Sequence, residues 1–378
     1  MPRINFGIFV TPLGGSRTDI TDKVFSVQVN NGREKYLDTY SGGQITFTIN
    51  NANNYAAGIP YGSEVQITNT SLGTEYNLIC WVQEITYEDA PGGQGINTAT
   101  ITAVDFMSRA GRQQVNSFSV SEAKTGTQAG TFDSPGPLPP AMSINVASPG
   151  SSTASAITYT GTIGNYLNLL QTTERGYYVM RGTELYFVGR DLVNTFPIPA
   201  VSLARTTSTT AIAYQQFSRI QNGTQFINQA TISSTGVADQ TASNSSSVTT
   251  YGTAFYSSQT VDYNATQAVG NADWVVNNFS DPSALRFQVS FSDVAQNTTA
   301  LNSFLTLTWG TANRLINLSY TLPGGSSTTI PVVIEGHQLS VTPEQAVFTL
   351  FLSPLTYYQF FTLNSSTLGI LDTSRLGW

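Results

Sequence analysis

The side chains able to do chemistry are few in this sequence. His337 is the only histidine and Cys80 the only cysteine. A Ser-His-Asp triad would have to run through His337. That residue lies in VVIEGHQLSV, where alternation puts it on the same side as Leu339 and Val341. The pattern predicts an interior or interface histidine. One histidine and one cysteine cannot build a zinc-type site. Cys80 sits in the apolar run LICWV, which predicts an inert buried thiol and no intrachain disulfide.

Paired carboxylates are the remaining route to catalysis, as in glycosidases. Glu84 with Glu88 and Asp89 flanks a strand end, and Asp262 with Asp273 flanks a helix. Both groups read as solvated surface. Trp81, Trp274 and Trp309 could stack on sugars, but their apolar contexts predict core positions. PGGQG at 91–95 reads as a hairpin turn, and no P-loop is present. The glycosylation-type sequences at Asn222 and Asn297 follow from composition. The expectation is a chain that is not an enzyme, with no catalytic residue, no metal and no cofactor.

Composition points the same way. Of 378 residues only 10% are charged, well below the usual quarter. Ser, Thr, Asn, Gln and Gly take that surface instead. Such groups cost less to desolvate than ions, which suits protein–protein assembly. A net charge of −7, with 16 scattered basic residues, argues against nucleic-acid binding, which needs clustered Lys and Arg. DNA could pass such a surface but would not be held by it. The first residues, MPRINFGIFVTP, lack a signal-peptide pattern. No apolar run approaches the ~18 residues of a membrane span.

The chain divides by pattern. Residues 1–112 read as a first β-barrel domain of about six strands, with a turn at Asn30–Asn31–Gly32 and a short helix at Phe106–Arg112. Residues 113–205 combine a long Gly/Pro/Ser loop, Asn116–Ser152, with a small α+β piece. In that piece Tyr166, Leu169 and Leu170 share a helical face, and Tyr177–Met180 and Leu185–Val188 form a hairpin. Residues 206–354 read as a second β-barrel domain with one helix, Asn264–Phe279, and a polar loop at Gly236–Ser247. VTTYGTAFY reads as a strand. Residues 355–378 form an aromatic tail rich in apolar surface that must dock on its own domain or on a neighbour.

An internal echo links the two β regions. The hairpin Val332–Pro354 repeats the shape of Trp81–Asp105, in which Ile85 and Tyr87 alternate, as do Ala99, Ile101 and Ala103. Upstream, Ile45–Asn50 matches Leu285–Ser290 and Val65–Thr68 matches Leu305–Thr308 at one common offset, with Phe47 aligned to Phe287 and Thr68 to Thr308. This predicts a duplicated β unit.

Three stretches carry a family resemblance: DTYSGGQITFTINNANN (38–54), NYLNLLQTTERGYYVMRGTELYFVGRD (165–191) and QAVGNADWVVNNFSDPSALRFQVSF (267–291). The ending LSPLTYYQFFTLNSSTLGILDTSRLGW fits the same pattern. Their order resembles phage tail proteins of the baseplate-hub or minor-tail class. The resemblance implies a mainly β (α+β) fold: two small tail-tube-like β-barrels with a small α+β domain inserted between them. It implies a virion protein, assembled in the host cytoplasm and placed at the tail tip. There a homotrimer would form a ring between the tail tube or distal tail protein and tip or fibre proteins. The tape measure protein and DNA would pass through that ring. Tyr357, Tyr358, Phe360, Phe361, Leu371, Arg375 and Trp378 are the expected interface residues. The alternative class is a receptor- or glycan-binding fibre protein, which would need an exposed aromatic platform.

Overall fold

The computed structural model describes residues 6–40, 42–69, 76–88, 97–133, 136–138, 142–221, 223–283 and 285–359. The first β unit contains β1 (Phe6–Thr11), β2 (Val24–Gly32), β3 (Gln44–Asn50), β4 (Glu64–Asn69), β5 (Tyr76–Glu88) and β6 (Thr98–Val104). Period-2 alternation drives them: Ile45, Phe47 and Ile49 are buried on β3, as are Ala99, Ile101 and Ala103 on β6. A short helix, α1 (Phe106–Ala110), follows β6, and Asp105 caps it by accepting from the Ser108 amide at 3.2 Å.

The middle segment contains β7 (Gln114–Val120), α2 (Thr125–Gly130), β8 (Ser143–Val146), β9 (Ile157–Thr162), α3 (Ile163–Glu174), β10 (Tyr177–Arg181) and β11 (Glu184–Val188). The expected loop at Asn116–Ser152 is thus largely folded. Several of its described polar groups have internal partners. The buried Glu174 carboxylate accepts from the Ser151 and Ser152 amides and from the Thr125 hydroxyl. Gln128 donates to three backbone carbonyls. Such pairing offsets the desolvation cost that a Ser/Gly/Pro composition would otherwise leave unmet.

The second β unit contains β12 (Ser202–Ala204), β13 (Ala211–Ala213) and β14 (Gln216–Gln221). Then come a small sheet of β15 (Gln229–Ser234), β16 (Val237–Ser243) and β17 (Phe255–Thr260), with helices α4 (Ser245–Tyr251) and α5 (Ala265–Phe279). The unit resumes with β18 (Leu285–Ser292), α6 (Thr298–Leu305), β19 (Leu315–Thr321), β20 (Ser327–Val341) and β21 (Ala346–Pro354). The polar stretch Gly236–Ser247 is therefore not a loop. Its backbone ladders onto β15, and Asn244 caps α4 through the Ser247 amide. VTTYGTAFY splits between α4 and β17 at Gly252, whose φ of 78° ends the helix.

Both units belong to one large sheet that curls into a half-barrel. In space the first runs β2-β3-β6-β5-β4-β1 and the second β14-β18-β21-β20-β19-β12. Read along the chain, these are the same order twice. One difference stands: β1 is antiparallel to β4, whereas β12 is parallel to β19. The hairpin pair expected from sequence matches down to its irregularity. β5 bulges between Val82 and Glu84, and β20 between Ile334 and Gly336.

Two parts of the expected repeat are corrected. Leu305–Thr308 is not a strand. Ala300, Leu301, Phe304 and Leu305 are buried at helical spacing and Asn297 caps the run, so α6 continues into a π-helical turn, Thr306–Gly310. The counterpart of β4 is β19. Counting from the bulges, Ile45 rather than Phe47 takes the place of Phe287, because Ile45 faces Ala103 where Phe287 faces Leu352. The turn expected at Asn30–Asn31–Gly32 is also overridden. These residues stay in β2 and pair with β20, which joins the two units edge to edge.

Asp105 is fully buried and burial pushes its carboxyl up to about 7, against opposing amide hydrogen bonds. The folded chain then keeps a proton that the unfolded chain releases near pH 4. Stability from this group is therefore full below about pH 4 and lost as pH rises through about 7, by on the order of 4 kcal/mol. Asp105→Asn keeps the cap oxygen and removes the charge. Thermal melts from pH 4 to 8 should show that slope in the parent and a flatter profile in the variant.

Candidate functional site

The ends of β2 and β20 meet at two glycines. A Cβ on Gly32, whose φ is 88°, would lie 2.3 Å from the Glu335 carbonyl oxygen, and one on Gly336 would lie 2.6 Å from that of Asn31. Only glycine permits this approach. Just beyond, Arg33 and Glu335 form an ion pair, Nε to Oε2 at 2.8 Å, with both side chains almost wholly buried. Arg33 Nη2 also donates to the Tyr358 hydroxyl at 3.0 Å, and that hydroxyl reaches Glu335 at 3.0 Å. Burial alone would lower the Arg33 pKa. Glu335 and the surrounding tyrosines outweigh it and hold the guanidinium charged.

Rings enclose the pair. Tyr36 lies under the Arg33 guanidinium and packs edge-on against Tyr358 and Tyr357. Its other neighbours are Trp274 and Phe279 of α5, and its hydroxyl donates to the Arg175 carbonyl at 2.6 Å. Tyr177 of β10 packs on Tyr358, and Asn194 donates to the Tyr358 carbonyl. The first unit, the second unit, the middle segment and the residues after β21 thus converge on one desolvated cluster.

Tyr357 and Tyr358, expected at an interface, are 7% and 1% exposed and pack within their own chain. Phe360, Phe361, Leu371, Arg375 and Trp378 lie outside the described residues. Trp81, Trp274 and Trp309 are buried, as expected. Asp262 is a correction. It is fully buried and accepts from Thr260, Gln267 and Asn271 rather than facing solvent. Its partner in the expected pair, Asp273, is exposed, as are Glu84 and Glu88, while Asp89 lies outside the described residues.

His337 is 3% exposed on β20, between Asn31 and Leu350. Burial, then the nearby Arg314, pushes its imidazole down to about 3. A base of that strength moves protons poorly at neutral pH. Burial likewise raises the Cys80 thiol well above its usual range, which makes it unreactive. Among the described residues no group of three metal-ligating side chains forms, and no helix is long and apolar enough to cross a membrane.

No family model and no curated protein matches this sequence. Solved structures do. A tail protein from Neisseria meningitidis MC58 aligns with a TM-score of 0.63 at 11% identity, over 92% of this chain and 96% of that one. The chain has the fold of a phage tail protein. The 43 kDa tail protein of prophage MuSo2 from Shewanella oneidensis gives 0.55 at 12% identity, over 94% and 98% of the two chains. Prophage tail protein gp18 from Listeria monocytogenes EGD-e gives 0.50 at 11%, over 91% and 94%. The tail-protein fold thus extends along nearly the whole chain, with almost no shared letters.

Removing one member of the buried pair strands the other. Glu335→Ala should lower unfolding free energy by about 3–5 kcal/mol. Tyr358→Phe, which deletes one hydrogen-bonding group, should cost about 1–3 kcal/mol. Urea titrations followed by tryptophan fluorescence measure both. For His337, the imidazole NMR signals should stay at their neutral positions from pH 8 to below pH 5.

Proposed function

We propose that this chain is a structural protein of a phage tail, acting at the tail tip as a ring-forming baseplate-hub adaptor. The observation that carries this reading is the paired-unit sheet. Two β units of equal strand order stand side by side, joined edge to edge, as two consecutive segments of a ring wall would be. Three copies would present six units to a sixfold tube, which is what a duplicated unit offers to symmetry matching. In this reading residues 1–112 and 206–354 carry the wall and 113–205 with the 223–283 insert braces it. Its neighbours are the tail tube or distal tail protein on one side and tip or fibre proteins on the other.

The low-charge, acidic surface supports passage without retention. DNA and an extended tape measure protein would meet few cations to hold them. Burial of Trp81, Trp274 and Trp309 withholds those rings from a sugar platform, which weighs against the glycan-binding fibre reading. The buried and unreactive state of the lone histidine and cysteine supports a role in assembly rather than turnover. Phe360, Phe361, Leu371, Arg375 and Trp378 serve as the anchor to a neighbour.

Quantitative mass spectrometry of purified particles should find about three copies per tail. About six would point to a distal-tail ring, and absence from particles would overturn the reading. Truncation after Gln359 keeps Leu355, Tyr357 and Tyr358 in the core. It should give folded chains that fail to join particles; normal incorporation would exclude the anchor.

A further inference from the structure

The two units leave two unlike strand edges. On β5, residues 76–81 pair with β4, but Glu84–Glu88 pair only with β6 among the described residues. On β14 the only strand partner among the described residues is β18. In the doubled order, β5 corresponds to β20 and β14 to β2. Those two counterparts are joined inside the chain, with Gly336–Val341 antiparallel to Val27–Gly32.

We infer that the open edge of β5 in one copy pairs antiparallel with β14 of a second copy of this chain. The β20–β2 junction would then be repeated between molecules. The inference rests on the ring reading and supplies its subunit contact. The register follows from rows that cross each unit. Val27, Phe47, Ile101 and Ile85 form one row, and Phe217, Val289, Leu350 and His337 form its equivalent. Inside the chain His337 faces Asn31 and Leu339 faces Val29. Carried across, Ile85 faces Gln221, Thr86 faces Ile220, Tyr87 faces Arg219 and Glu88 faces Ser218.

Chemistry at these edges is complementary. Tyr87 is an exposed ring, at 46%, and Arg219 is exposed opposite it. The chain already sets Arg181 over Tyr186 and Arg109 over Trp81. A guanidinium held over a ring gains as the edges desolvate.

Space is available as well. The tip of the β20–β21 hairpin, Val341–Pro343, lines a cavity of about 430 Å3 beside β2. Beside β14 lies a cavity of about 440 Å3 lined by Arg205, Tyr214, Gln215, Phe217 and Thr321, all from the second unit. Glu84 stands where Gly336 stands in the second unit, so the closest glycine crossing is not reproduced and the pairing begins at Ile85.

Among the described residues β14 ends its branch of the sheet and β5 past its bulge has β6 alone as strand partner, and seven strand spacings separate the two. A disulfide between them must therefore join two chains. Full-length protein carrying Thr86→Cys with Ile220→Cys, or Tyr87→Cys with Arg219→Cys, tests the register under mild oxidation. Adjacent antiparallel rungs alternate between wide and narrow, so one of the two pairs lies within disulfide reach. Native Cys80 is buried, and each single variant controls for it. The expected result is adducts at two and three times the chain mass from one pair, and none from Thr86→Cys with Gln216→Cys. A three-copy assembly by native mass spectrometry with no adduct from either pair would overturn the edge pairing and leave the ring reading standing. Chains that stay single and free of adducts at every concentration would overturn the pairing as well, while copy number in particles would still decide the ring reading.

Discussion

The fold turns on one desolvated ion pair. Arg33 and Glu335 are separated by 302 positions in sequence and by 2.8 Å in space. A buried charge is tolerable only when its partner is held in place. Here the holding is done by Tyr358, Tyr36, Tyr177 and Trp274, which come from four parts of the chain. The pair therefore acts as a condition on assembly of the monomer: both β units, the middle segment and the residues after β21 must be in place before it is satisfied. A pair this costly to leave half-made favours one arrangement of the units over sliding alternatives, because a register shift at the β2–β20 junction would strand both charges.

The glycines beside the pair set the geometry of that junction. Gly32 and Gly336 let two strands approach where any Cβ would collide. The bulge at Ile334–Gly336 turns β20 so that one stretch pairs with β19 and the next with β2. A single 15-residue strand thus serves two sheets' worth of pairing. β5 carries the same bulge, yet past it only β6 is paired among the described residues. Among the described residues, one junction of the repeated unit is thus made internally while the equivalent stretch of β5 has no second strand partner.

Much of this was readable from residue order, and what was not has identifiable causes. α3 and α5 announce themselves by apolar spacing of 3.6, and β10, β11, β20 and β21 by spacing of two. LTLT at Leu305–Thr308 alternates like a strand, but the preceding Ala300, Leu301, Phe304 and Leu305 had already committed the backbone to a helix. Gly236–Ser247 is poor in apolar residues, so its strand is held by ladder bonds to β15 that no local pattern announces. Asp262 looked solvated because aspartate usually is; Gln267 and Asn271, one and two turns along α5, made its burial affordable.

By itself the sequence determined the mainly β class, the doubled unit, the buried state of His337 and Cys80, and the poverty of charge. All of these are local or compositional properties, set by alternation and residue type. Only the tertiary structure decided which edges pair. Strand pairing is made by backbone groups that every residue carries, so its partners depend on which edges the rest of the fold leaves open. For the same reason the meeting of Arg33 with Glu335, the enclosure of Tyr358 and the edges that β5 and β14 leave without a second strand among the described residues exist only once distant segments have been brought together.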